Sequence, residues 1–212
     1  MYWNTPAMKP SIAHWNERFS ESDDYLFGKA PNAFLERQKA RFKPGMTVLA
    51  VSDGEGRNGV WMAEQGCEVW SVDAAPAASE KARKLAAERG VKMYVMTQDI
   101  MEFDWSARQY DAVVGIFFQF ANPKMRKNIF EGMLQALKPG GLLILEGYGL
   151  KQLEFKTGGP SDPDNLYTTA LLRDAFGSLD IALLEEYDAP LSEGPRHQGM
   201  SALVDLVATK PV

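Results

Sequence analysis

The chain is poor in the side chains that most readily build metal or redox centres. Its 212 residues include one cysteine, Cys67, and two histidines, His14 and His197. One thiol excludes an internal disulfide, and with so few nitrogen ligands beside it there is no zinc-type set, so no metal is expected. Cys67, at the entry to an apolar run, reads as a small core residue rather than a nucleophile. Clustered positive charge is missing too: 23 Lys and Arg stand against 28 Asp and Glu, a formal net charge of −5, with no basic stripe. Affinity for a phosphate backbone comes largely from gathered Lys and Arg, so no nucleic-acid partner is expected. No apolar run approaches the ~20 residues of a membrane span, and Met1 to Pro6 show no basic segment followed by an apolar one. The expectation is a cytoplasmic protein without a membrane partner.

What is present is β-α alternation around one glycine turn. Residues 48–52 are apolar or small, as a strand covered on both faces requires. Asp53, Gly54, Glu55, Gly56 and Arg57 follow, and a helix is expected from 58 to 65, ending at Gly66. Gly54 and Gly56 let a ligand lie against the main chain at the helix N-terminus. Gly54, Gly56 and Gly59 also spell G-x-G-x-x-G, but that pattern alone is weak. A pyrophosphate wants bare amide donors, whereas Asp53 and Glu55 bring carboxylates to this turn, which suits a cation. S-adenosylmethionine, a nucleoside with a sulfonium and an ammonium group and no phosphate, meets that description. The other reading is that both acids only stabilise the helix start.

Further strands are expected at 68–72, 91–96, 110–118 and 142–148, with helices at 75–89 and 123–137 between them. Asp73, with Ala74 after it, ends the second strand about 20 residues past the turn, where a carboxylate accepts from ribose hydroxyls; it stands equally where a helix cap would. At the end of the third strand Asp99 is placed to accept from an adenine amino group while Ile100 packs on the ring, and Phe117 borders the same cleft. A Gly/Pro/Asp-rich loop over 151–165 and a helix at 168–176 lead to two strands at 181–187 and 200–208, joined by a twelve-residue loop. They read as a closing antiparallel hairpin. The fold class is therefore α/β: a doubly wound Rossmann-like sheet of about seven strands, mostly parallel. One domain is expected over 1–212, with residues 1–43 a helical lead-in and 44–212 the nucleotide-binding core. In the lead-in, Trp15, Phe19, Tyr25 and Phe27 either close over the cleft as a lid or only seal the edge of the core.

In this order the motifs resemble those of the class I S-adenosylmethionine-dependent methyltransferases: Gly54 to Asn58, Asp73, Asp99 with Ile100, Tyr110 to Val113, and Leu137 to Gly141. More narrowly, Tyr25 to Gly28, Pro31-Asn32, Thr157-Gly158-Gly159-Pro160 and His197-Gln198-Gly199 resemble the bacterial tellurite-resistance and thiopurine methyltransferase group. The superfamily's acid and glycine ahead of the turn are Ala50 and Ser52 here, and Asp53 stands as the replacement acid. The resemblance implies S-adenosylmethionine as cofactor, held by Asp53, Gly54, Gly56, Arg57, Asp73, Ala74, Asp99, Ile100 and Phe117. It also implies a small-molecule acceptor, such as tellurite, selenite or a thiol, and a monomer or small homo-oligomer.

A sulfonium methyl is already activated, so transfer needs an acceptor held in line with water excluded. A soft anion needs no base, whereas a hydroxyl or amine does. His197 and Arg196 are expected to face the acceptor, as base and oxyanion guide, with Tyr148 and Arg57 nearby; alternatively His197 only ties the hairpin together. Two other classes stay open: an NAD-dependent oxidoreductase, and a non-catalytic adenosylmethionine sensor.

Overall fold

In a computed structural model the chain is described over residues 8–212. Element order runs α1 (Pro10–Ser20), α2 (Ala33–Arg37), β1 (Thr47–Val51), α3 (Arg57–Glu64), β2 (Glu68–Asp73), α4 (Pro76–Glu88) and β3 (Tyr94–Thr97). It continues through β4 (Tyr110–Ile116), α5 (Pro123–Ala136), β5 (Leu137–Tyr148), α6 (Gln152–Phe155), α7 (Thr169–Phe176), β6 (Asp180–Glu193) and β7 (His197–Thr209). The strands form one seven-stranded sheet in the order β3-β2-β1-β4-β5-β7-β6. The first five run parallel, while β7 lies antiparallel to β5 and β6 antiparallel to β7. This is the expected α/β architecture.

Alternation along each strand explains the layers. On one sheet face Val48, Ala50, Val114, Ile144 and Val207 pack against Phe34, Leu35, Trp61 and Met62. On the other, Leu49, Val51, Val113, Leu143 and Leu206 meet Ile129, Met133, Leu172 and Phe176. Both faces are thus covered, as a parallel sheet demands. Chain order reverses between β1 and β4, and the crevice at that reversal, beyond the carboxyl ends of the strands, is where doubly wound folds bind ligands. Among the described residues no helix is long and apolar enough to cross a membrane.

Several boundaries differ from the sequence reading: β4 ends at Ile116, and β5 begins at Leu137 because the 138–141 stretch continues the strand. The third strand starts at Tyr94, because Val91 and Met93 turn inward to pack under α3 and α4. The second lead-in helix stops at Arg37 and continues only as a 3₁₀ turn over Lys39–Arg41. The largest difference is the hairpin, whose strands run on to a three-residue connection, Gly194 to Arg196, instead of a twelve-residue loop. Gly194 sits at φ 73°, and a Cβ there would lie 2.3 Å from the Gly28 nitrogen, so the tip rests directly on the lead-in. The Arg196 amide completes that contact by donating to the Leu26 carbonyl at 3.2 Å.

Candidate active site

The glycine turn is bent before its glycines begin. Ser52, where the superfamily has glycine, adopts φ 50°, and Phe117 at the end of β4 adopts φ 54°. Left-handed backbone at non-glycine residues costs roughly 1 kcal/mol or more each. Both positions border the crevice.

Both acids of the turn are engaged by the scaffold, and Asp53 also borders the crevice. Asp53 accepts from Ser71 Oγ at 2.7 Å and from the Gly59 amide at 3.2 Å, tying β1 to β2 and to α3. Burial pushes its pKa up to about 7, against the pull of those two hydrogen bonds. Glu55 is paired with Lys81 Nζ at 2.8 Å and approached by the Phe27 amide at 3.5 Å, so it anchors the lead-in to α4. Gly56 and Gly59 are packing positions: a Cβ on Gly56 would lie 2.6 Å from the Ala82 Cβ, and one on Gly59 would lie 2.4 Å from Asp53 Oδ2. Gly59→Ala is expected to cost about 1–3 kcal/mol, read as a lowered urea midpoint with an unchanged m-value.

Asp73 is different. Its two oxygens each take one amide, from Gly54 and from Ala75, both at 2.9 Å. Burial raises its pKa, and the two amides oppose the rise. A carboxylate has about four lone-pair sites, so Asp73 caps the turn and keeps capacity for ligand hydroxyls; the two readings are compatible. Asp99 caps the 3₁₀ turn after β3 through the Met101 amide at 2.9 Å, and its other oxygen meets Lys9 Nζ at 2.6 Å. Lys9 leads into α1, so this ion pair draws α1 across the crevice.

Asp73, Ala74, Asp99, Ile100, Phe117 and Gly54 come together around one cavity, roofed by Ile12, Trp15 and Phe19 of α1. Asp53 and Arg57 also border it. Two carboxylates, a run of strand-end backbone and apolar walls suit a nucleoside without phosphates. A second cavity adjoins it, bounded by Tyr148, the 157–160 loop, Arg196 and Gln198, with Arg18 and Lys156 also on its lining. The two share Trp15, Phe27, Phe117, Phe120 and His197.

His197 is the first residue of β7, buried, with ring centroids of Phe27 and Phe117 at 4.5 and 4.6 Å and of Tyr148 at 5.8 Å. Its Nδ1 and the Tyr148 hydroxyl are both buried without hydrogen-bond partners. Arg196 is a half-exposed side chain at the hairpin turn, 4.0 Å from Glu21. Arg57 does not point freely at a substrate; it is buried and paired with Glu193 at 2.6 Å.

Glu193 was not among the residues suggested by the sequence. It accepts from Arg57, from the Ala33 amide at 2.8 Å and from Asn32 Nδ2 at 3.1 Å, and its Oε2 lies 3.9 Å from His197 Nδ1. Burial pushes Glu193 up, but His197, the Arg57 charge and the Ala33 amide more than offset this and bring it to about 2. The available signal was a Glu four residues before a His with a glycine between them. A tight hairpin pairs those two positions across the ladder, as β6 and β7 do here. Behind them Glu146 and Asp205 face each other across β5 and β7. Burial holds both carboxyls above their usual range, Asp205 at about 6.

Residues 48–141 match the family model described as a methyltransferase domain. This segment spans β1 to the turn within β5, and the chain has the Rossmann-like methyltransferase fold. Among curated proteins, a tRNA N(3)-methylcytidine methyltransferase of Drosophila melanogaster is 27% identical over 165 residues, covering 72% of this chain and 50% of that protein. The chain therefore spans about half the length of that relative. Among solved structures, the N-methyltransferase NodS of Bradyrhizobium japonicum with S-adenosyl-L-homocysteine aligns at TM-score 0.71 and 14% identity, over 96% of this chain and 100% of that one. TehB of Haemophilus influenzae aligns at TM-score 0.64 and 15% identity, over 98% and 64%. The magnesium protoporphyrin IX methyltransferase of Synechocystis, with S-adenosylmethionine bound, aligns at 0.66 and 17%, over 97% and 100%.

Proposed function

We propose that the two joined cavities transfer the methyl group of S-adenosylmethionine to a small-molecule acceptor. The methyltransferase domain match over residues 48–141 and the Rossmann-like methyltransferase fold support an S-adenosylmethionine-dependent methyltransferase, and the acceptor is inferred beyond that. The observation that carries it is the shared neck: the acid-and-apolar cavity at the strand ends opens past Phe117 and His197 into a second chamber. When bound, the cofactor supplies a methyl on a positive sulfur, and the chain's task is to orient and dry the reacting atoms. Asp73 takes the ribose hydroxyls, Asp99 and Ile100 the adenine, and Gly54 gives main-chain approach. The aromatic residues at the neck exclude water.

For the acceptor, the sequence resemblance favours a thiol or a soft oxyanion such as tellurite or selenite. A chamber walled by Tyr148 and the 157–160 loop beside the neck supports a small molecule. The Drosophila relative favours a second reading, an RNA base.

Isothermal titration with S-adenosylmethionine, S-adenosylhomocysteine and NADH tests the cofactor. Micromolar binding of both adenosyl ligands is expected, weakened about tenfold or more in Asp73→Asn, equivalent to roughly 1.4 kcal/mol. Binding of NADH alone would move the protein to hydride chemistry. A labelled-methyl screen over thiols, selenite, tellurite and transfer RNA then separates acceptors, and adenosyl binding without any turnover would indicate a sensor.

A further inference from the structure

His197 has one polar neighbour and otherwise aromatic ones. The rings of Phe27, Phe117 and Tyr148 surround the imidazole, and its buried Nδ1 has no partner closer than Glu193 Oε2 at 3.9 Å. An unpartnered buried nitrogen costs about 1–3 kcal/mol, so the neck is incomplete as it stands. Hydrogen bonds of catalytic groups are often long before a reactant is bound and shorten in its complex. Glu193 cannot be displaced far, because the Arg57 side chain and the Ala33 amide hold its two oxygens. It is a fixed acceptor aimed at Nδ1. His197 itself belongs to the lining of both cavities.

We propose that Glu193 is the positioning residue of His197: it holds the imidazole as the Nδ1–H tautomer, so that Nε2 takes a proton from the methyl acceptor. The acceptor is therefore a protic nucleophile, a thiol, hydroxyl or amine, rather than an oxyanion. This rests on the methyltransferase reading above. In the step the acceptor's X–H electron pair forms the new X–CH₃ bond, the S–CH₃ bond breaks to leave a neutral thioether, and the proton passes to Nε2. An oxyanion carries no proton to remove and would leave the arrangement idle. The charged groups that bear on the imidazole are Glu193 on β6 and Arg57 on α3, with the Tyr148 ring beside it. Burial lowers its pKa, Glu193 opposes this, and the Arg57 charge adds to the lowering, so the ring is neutral and able to accept a proton at neutral pH.

The chain has only two histidines, so ¹⁵N spectra of the full-length protein contain four ring nitrogens, and His14→Gln assigns them. His197 is expected as the Nδ1–H tautomer, free and with S-adenosylhomocysteine. Glu193→Gln keeps an acceptor for the Ala33 amide but removes the charge; it should shift the ring toward Nε2–H and lower the pH at which it titrates. An Nε2–H tautomer in the unmodified protein overturns the proposal, as does a Glu193→Gln ring that titrates unchanged. Should Glu193→Gln not fold, the unmodified protein's tautomer still decides. This arm reads the ring whether or not the adenosyl ligands bind, so its failure is distinct from failure of the methyltransferase reading. With an acceptor from the screen, Glu193→Gln should lower kcat by about 100-fold, leave KM for S-adenosylmethionine within about twofold, and move the acid limb of the pH profile down. Turnover confined to oxyanions would also overturn the proposal.

Discussion

Replacing Arg57 with Met is expected to destabilise the protein by about 3–5 kcal/mol at pH 7, one of the largest effects of any single change near the site. The side chain is buried at the first position of α3, where a positive charge opposes the helix dipole, and its compensation is the Glu193 carboxylate at 2.6 Å. Methionine fills similar volume, so the loss comes from leaving Glu193 as a buried, unpaired charge. Because the folded-state pKa of Glu193 lies at about 2, below the ordinary carboxylate value, the pair's contribution is complete above that ordinary value and disappears as pH falls toward 2. Urea unfolding of both proteins across pH should therefore show a gap that narrows in acid. A constant gap would place the cost in packing instead.

Asp53→Asn should act in the opposite direction, raising stability at pH 8 by on the order of 3 kcal/mol. Burial raises the Asp53 pKa to about 7, above the ordinary carboxylate range, so the folded protein binds its proton more tightly than the unfolded chain does. Its contribution is fullest below the unfolded value and falls as pH rises to about 7. Asparagine can accept from the Gly59 amide and donate to Ser71 Oγ, keeping both ties without a charge. Thermal midpoints compared at pH 4 and pH 8 should show little difference at the lower pH and a gain for the variant at the higher. S-adenosylmethionine affinity should change by less than about threefold, since asparagine keeps both ties that hold the turn. A large loss of affinity would return Asp53 to the role suggested by its place in the turn.

These cases mark what could be read from residues in order. The run 48–52 followed by glycine identified the first strand and the crevice, because period, apolarity and a glycine turn are local properties. Asp73 was legible for the same reason: strand length and helix length place it near the turn. Asp53 and Glu55 were misleading because their neighbours in space, Ser71 and Lys81, lie on β2 and α4. Nothing in their own segment reveals that both carboxylates are already taken. The 188–199 stretch, rich in Pro, Gly and charge, resembles a loop. It pairs as strand because β6 is the sheet's edge, where one side of the backbone and many side chains remain in water.

By itself, then, the sequence determined the alternation of strands and helices, the apolar faces and the position of the crevice, since these follow from backbone geometry and short-range periodicity. Only the tertiary structure decided which partners each acid of the crevice meets. It also decided that a three-residue turn sets Glu193 opposite His197, and that two cavities meet at His197. Charge and hydrogen-bonding capacity are consumed by whichever partner the register brings near, and register is a property of the assembled sheet.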